Sequence, residues 1–160
     1  MNTENPKKIE IILYDSYLQA IRNSVGLNLF KNLYANVDGQ TMDILENGRL
    51  ACASFVSGVL RLFNLVSETH ATVDGTVRDM IESGWQPVDQ PKIGTVLVWE
   101  KKASEDGSFH KHIGFYIDTD AAISNNTDSG QPVRHHWTYG EKDDQPVRKI
   151  EKILWHNKLN

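Results

Sequence analysis

One cysteine and six histidines are the residues of this 160-residue chain best suited to covalent chemistry near neutral pH. A thiolate is a strong nucleophile, and an imidazole has the pKa to take up a proton and return it. Cys52 follows the polar stretch Glu46-Asn47-Gly48-Arg49 and opens an apolar run, Phe55, Val56, Val59, Leu60 and Phe63, at helical spacing. That spacing predicts a buried helix with the sulfur in its first turn. Unpaired N–H groups and the helix dipole there stabilise a thiolate and can supply part of an oxyanion hole. The competing reading is structural, because a free cysteine is among the most buried residue types.

The candidate bases are His70, His110, His112, His135, His136 and His156. His112 opens the apolar strand His112-Ile113-Gly114-Phe115-Tyr116-Ile117. Alternation puts Gly114 and Tyr116 on its face, with Gly114 expected to leave room for the packed helix. His110, expected on the preceding loop, can share that face and is its competitor. A different chemistry, a zinc centre, could draw on His110, His112 and the pair His135-His136 with a carboxylate. Neighbouring strand residues point to opposite faces, however, and the chain has neither a His-Glu-x-x-His helix nor cysteine ligands.

These residues need elements to hold them. Ile9, Ile12, Leu13, Ala20 and Ile21 predict an amphipathic helix beginning at Ile9, and a second helix or an ordered loop follows Gly26. Val37-Asp38-Gly39-Gln40 reads as a turn. The nucleophile helix is expected over Ala51 to Val66, its small face (Ala53, Ser54, Ser57, Gly58) open to close approach by another backbone. A further helix spans Val73 to Ser83, capped by Thr72 and stopped by Gly84. Strands are expected at Gly94–Trp99, His112–Ile117, Ala121–Ser124, Val133–Tyr139 and Val147–Trp155. Helices first and strands afterwards predict an α+β domain with an antiparallel sheet.

Three segments resemble the NlpC/P60 family of papain-like cysteine peptidases and amidases. Leu50-Ala51-Cys52-Ala53-Ser54-Phe55-Val56 is similar to its nucleophile segment. Pro91-Lys92-Ile93-Gly94-Thr95-Val96-Leu97-Val98-Trp99 resembles its Pro-x-x-Gly-Asp strand. His112-Ile113-Gly114-Phe115-Tyr116-Ile117 resembles its His-(Val/Ile)-Gly-(Ile/Phe)-Tyr strand, and the three fall in the family's order over residues 45–127. The sequence departs from the pattern at Ala51, where Asp is more frequent, at Ala53-Ser54, where Ser-Gly is, and at Thr95, which replaces Asp.

The resemblance implies one papain-like domain over 1–160, with an N-terminal helical part at 1–44, a catalytic core at 45–127 and C-terminal strands at 128–160. It implies amide hydrolysis with Cys52 as nucleophile and His112 as base. Either Ser124 or Asn125 is the third residue orienting the imidazole. It also implies bacterial cell-wall peptides as substrates, often cut at a γ-D-glutamyl bond, with neither metal nor organic cofactor. The alternative is a catalytically inactive NlpC/P60-fold binding or interaction module, although a dead copy has no chemical need of both thiol and imidazole.

Composition narrows the rest. A formal net charge of -4 and the lack of a basic cluster argue against a nucleic-acid partner. A single cysteine allows no intrachain disulfide. The polar start Met1–Lys8 and the charges Glu10, Asp15 and Arg22 match neither a secretory signal nor a membrane span, so a cytoplasmic protein, or one exported without a Sec signal, is expected. Trp85, Trp99, Trp137 and Trp155 fit a core better than a substrate groove. Arg134 fits an exposed strand position better than a carboxylate contact. Asp38-Gly39, Asp106-Gly107 and Asp143-Asp144 read as turns.

Overall fold

A computed structural model describes residues 7–103 and 107–160. The polar start up to Pro6 and the Asp106 half of the Asp106-Gly107 turn lie outside them.

Helix α1 spans Leu13–Asn23 and buries Tyr17, Leu18 and Ile21. It starts four residues later than the apolar spacing predicts, because Ile9, Ile11 and Ile12 are β-branched and stiff at χ1. They lie exposed ahead of the helix. The segment after Gly26 is a loop leading into a hairpin, β1 (Tyr34–Val37) and β2 (Gln40–Asp43). The predicted turn joins them, with Asp38 at φ 50° and Gly39 at φ 86°; two left-handed residues give the hairpin its matching twist.

Helix α2 spans Cys52–Leu62. It stops short of Val66 because Asn64 turns left-handed at φ 54° and the Leu65 N–H bonds back to the Leu60 carbonyl. Helix α3 (Val73–Glu82) runs as the sequence predicts: the Thr72 hydroxyl accepts the Gly75 N–H, and Gly84 follows at φ 102°. Eight strands then follow: β3 (Trp85–Pro87), β4 (Val96–Ala103), β5 (Phe109–Asp118), β6 (Ala121–Asn125), β7 (Pro132–His136), the short pair β8 (Glu141–Lys142) and β9 (Gln145–Pro146), and, last of the main sheet, β10 (Ile150–His156). Asp143 and Asp144 form the predicted turn between β8 and β9, at φ 52° and 59°.

The architecture is α+β. Six strands form an antiparallel sheet in the order β3-β10-β4-β5-β6-β7. One face carries the main core: Ile113, Phe115 and Ile117 of β5 meet α1 and α2, with Phe55 against Phe115 at 5.5 Å and Tyr17 against Phe115 at 6.0 Å between ring centroids. The other face holds a smaller cluster of Leu97, Trp99, Tyr116 and Ala122, covered by Trp137 and Tyr139. The tryptophans serve these cores. Trp85, Trp99 and Trp155 are buried, and their indole N–H groups donate to the Leu65 carbonyl, the Trp137 carbonyl and Asn160 respectively.

The small face of α2 is met by another backbone at Ser57, as expected, but by a side chain at Gly58. A Cβ on Gly58 would lie 2.6 Å from the Phe30 ring, and the Ser57 hydroxyl accepts the His70 backbone N–H at 2.8 Å. Gly114 differs from its expected role. It makes room on the face opposite α2, where an added Cβ would meet Ser124 Cβ at 2.6 Å and Trp99 at 3.1 Å. Among the described residues no helix is long and apolar enough to cross a membrane.

Candidate active site

The approach to Cys52 is a chain of tight turns held by one carboxylate. Asp43, the last residue of β2, accepts the N–H groups of Leu33, Leu45 and Asn47 and the side-chain amide of Asn32, at 2.6–3.2 Å. The Leu33 and Asn47 N–H groups lead in lowering its pKa to about 2. Glu46 pairs with Arg49, whose Nε donates to it at 2.6 Å. Gly48, at φ 94°, then presses on Gly130 in the β6–β7 turn; a Cβ at 48 would lie 2.5 Å from Gly130 Cα. Asn125 adds a hydrogen bond from its amide to the Gly48 carbonyl at 2.7 Å.

These contacts deliver Cys52 as the first residue of α2. Ala51 makes no side-chain cap, so the N–H groups of the first turn have no intrahelical partner. Those of Cys52 and Ala53 act on the sulfur, together with the Ile113 N–H from β5, and each lowers the thiol pKa, as does the Arg148 charge. Burial outweighs them all. Although part of Cys52 stays accessible, desolvation pushes the thiol up to about 11.

His112 sits opposite Trp99 in the β4–β5 register and packs on its ring at 5.5 Å. It is 9% exposed. Burial, then the positive fields of Arg148 and His135, lower its pKa to about 3. The resting pair is therefore a neutral thiol and a neutral imidazole. His112 Nε2 lies 2.9 Å from Ser124 Oγ, and Ser124 stands across from Gly114, two residues along the same face. Its hydroxyl also meets His135 Nε2 at 2.7 Å and the Tyr139 hydroxyl at 3.1 Å.

The two candidates for the third residue are thus separated by geometry. Ser124 touches the His112 ring, whereas Asn125 points its amide at the Gly48 loop, and its buried Oδ1 has no partner among the described residues. His110 is tied to Ser108 at 2.7 Å through Nε2. His136 accepts N–H groups of the turn at Thr138 and Gly140. His70 bonds Asp79 and His156 bonds the Ser83 carbonyl, both away from Cys52. Among the described residues no group of three or more His, Cys, Asp and Glu is placed to hold a metal ion, so the zinc alternative finds no ligand set.

Cys52 and His112 line one open cleft of about 1070 Å³. The cleft wall also carries Arg49, Lys101, Lys102, Lys111 and Arg148 against Asp74 and Asp128. Lys111 is bound to Asp74 at 2.8 Å. Arg148 has no carboxylate within ion-pair distance among the described residues. It is held by backbone carbonyls instead, those of Glu100 (2.9 and 3.2 Å) and His110 (2.9 Å), and lies 5.9 Å from the Tyr139 ring centre. With Lys111 bound to Asp74 and Arg49 to Glu46, Lys101, Lys102 and Arg148 leave the described wall around the thiol with a cationic excess over Asp128.

Three of these residues, Arg148, His135 and Tyr139, escape the sequence reading as parts of a thiol site. Arg148 lies in the run expected as a strand, and its role depends on carbonyls of β4 and β5 that no side-chain pattern reveals. His135 is visible as half of a histidine pair, but only the β6–β7 register places it beside Ser124. Arg134, by contrast, is exposed and bonded to Asp118. No tryptophan lines the cleft. No protein-family model matches the chain, and no curated protein matches it significantly.

Proposed function

We propose that this protein is a papain-like cysteine hydrolase of the NlpC/P60 type that cleaves amide bonds. The observation that carries the reading is the convergence of Cys52, at an uncapped helix N-terminus, and His112, braced by Ser124, on one cleft.

His112 takes the thiol proton as the sulfur attacks the amide carbonyl; the S–C bond forms and the carbonyl π pair moves to oxygen. The N–H groups at the start of α2 face that developing oxyanion. Collapse breaks the C–N bond, the proton on His112 goes to the leaving amine, and an acyl-thioester remains. Water, deprotonated by His112, then releases the acid and restores the thiol. Because thiol and imidazole are both neutral at rest, proton transfer accompanies attack instead of preceding it.

The cationic wall supports substrates carrying carboxylates near the scissile bond, in keeping with the cell-wall peptides that the resemblance implies. Hydrolysis of acidic and neutral peptides by wild type, Cys52→Ser, His112→Ala and His110→Ala tests the reading. Both the Cys52 and His112 variants should lose turnover by several orders of magnitude, and His110→Ala much less. Equal losses at the two histidines would assign the base wrongly. The high thiol pKa favours one second reading, a binding module on the same fold. That module would bind acidic peptides with no turnover in any variant.

A further inference from the structure

The proton positions along His112, Ser124 and His135 follow from a single carbonyl. His135 Nδ1 lies 2.8 Å from the His136 carbonyl oxygen, which can only accept, so Nδ1 carries the proton. In neutral His135 the other nitrogen, Nε2, is then bare, and it lies 2.7 Å from Ser124 Oγ. The Ser124 hydroxyl must donate there. With its one proton committed, Ser124 can offer only lone pairs to its other two neighbours. The Tyr139 hydroxyl fills one at 3.1 Å and His112 Nε2 the other at 2.9 Å. His112 is thereby protonated at Nε2 and bare at Nδ1, and Nδ1 makes no hydrogen bond to another described residue.

We infer that His135 is a positioning residue which, acting through Ser124, holds His112 in the tautomer whose Nδ1 can accept the thiol proton. The inference rests on the hydrolase reading for its consequence, but not for its geometry. The surrounding structure fits this role. His135 stacks on Tyr139 at 4.2 Å and packs on Trp99 at 5.8 Å, and those two rings meet each other at 5.6 Å, so the imidazole sits in an aromatic corner. Gly114 is the residue that lets Ser124 reach the His112 ring. Serine alone, able to donate or accept, would leave the tautomer of His112 undetermined; His135 removes that freedom. Protonating His135 would reverse the chain. Its Nε2 would then donate to Ser124, whose hydroxyl would turn towards His112 Nε2 and drive the proton there to Nδ1. The titratable and charged groups around it are His112 across Ser124, His136 beside it, Tyr139 on its face and Arg148 beyond that ring.

Long-range ¹H–¹⁵N spectra of the wild-type protein at pH 7 test this directly, with His112 assigned by its absence in His112→Asn. Expected is His112 protonated at Nε2 and His135 protonated at Nδ1. His112 protonated at Nδ1 overturns the inference without any variant having to fold. In His135→Phe the His112 tautomer should become mixed and turnover should fall about tenfold to a thousandfold, short of the ~10⁴ that a wholly wrong tautomer costs. His135→Gln, whose amide oxygen accepts the Ser124 proton, should restore most of both. An unchanged Nε2–H signal in folded His135→Phe also overturns it. If instead no variant or substrate shows turnover, the hydrolase reading fails while the tautomer result stands by itself.

Discussion

Desolvation governs Cys52, and its effect on reactivity is large enough to measure. The shift from 9.0 to about 11 leaves roughly one native thiol in 10⁴ ionised at pH 7, against about one in 10² for an ordinary thiol. A thiolate of higher pKa is more nucleophilic, with a Brønsted coefficient of about 0.4–0.5, which returns roughly tenfold of that hundredfold. Native Cys52 should therefore react with iodoacetamide about tenfold more slowly at pH 7 than the same chain in concentrated urea. The logarithm of its rate should climb with unit slope from about pH 6 to beyond pH 10, and thiolate absorbance near 240 nm should be absent below about pH 10. The perturbation that isolates the cause is unfolding itself: in urea the sulfur is hydrated, and the rise should move to the ordinary thiol range. A reactivity plateau or thiolate absorbance below pH 8 in wild type would mean the sulfur is ionised at rest, and the desolvation argument would be wrong.

Replacing Arg148 by Gln should push the thiol pKa higher still and reduce the ratio of iodoacetate to iodoacetamide alkylation rates several-fold; an unchanged ratio would show that the guanidinium does not shape the field at the sulfur. His112 has its folded pKa lowered to about 3 from 6.5, so its contribution to stability is complete above pH 6.5 and is lost as pH falls towards 3. Urea midpoints should register roughly 3 kcal/mol of that loss by pH 4.5, and about 4 kcal/mol by pH 3, less in His112→Asn. A flat stability between pH 7 and 4.5 contradicts the burial of a neutral imidazole. Gly130→Ala should cost about 2 kcal/mol in chemical denaturation, since φ at 130 is 67° and an added Cβ would stand 2.5 Å from the Asn47 carbonyl.

Helix α3 was legible to the residue at its start because its signals are local: a threonine cap, an acidic first turn and a glycine stop. The five longer strands of the main sheet were expected in their places, but β5 starts three residues before His112, β7 stops three short of Tyr139 and β10 starts three after Val147; the turn at Asp38-Gly39 was legible from its residue types. The hairpin around that turn was not, since its strands are exposed and lack clean alternation. Strand β3 is three residues long and owes its existence to pairing with β10. At the candidate site, Cys52 and His112 stood out by type, and Ser124 and Asn125 together by position, with the choice between them left to the geometry. What stayed hidden was set by pairing between distant strands: the Ser124 contact with His135, the carbonyl cradle of Arg148, and the face to which Gly114 gives room.

The contact between Gly48 and Gly130 bears on how the molecule assembles. It joins residues far apart in the chain, and the turn at 130 exists only once β6 and β7 have paired. Contacts of this range close late in folding, because long loops must be ordered before they gain anything. Cys52, four residues beyond Gly48, therefore takes its final environment among the last parts of the chain. Until then its sulfur is an ordinary hydrated thiol, ionising near 9.0 instead of about 11. A chain with α2 formed but the sheet incomplete would alkylate faster than the finished protein. The slowing of Cys52 is thus a clock for completion of the sheet, and pulsed alkylation during refolding would time it.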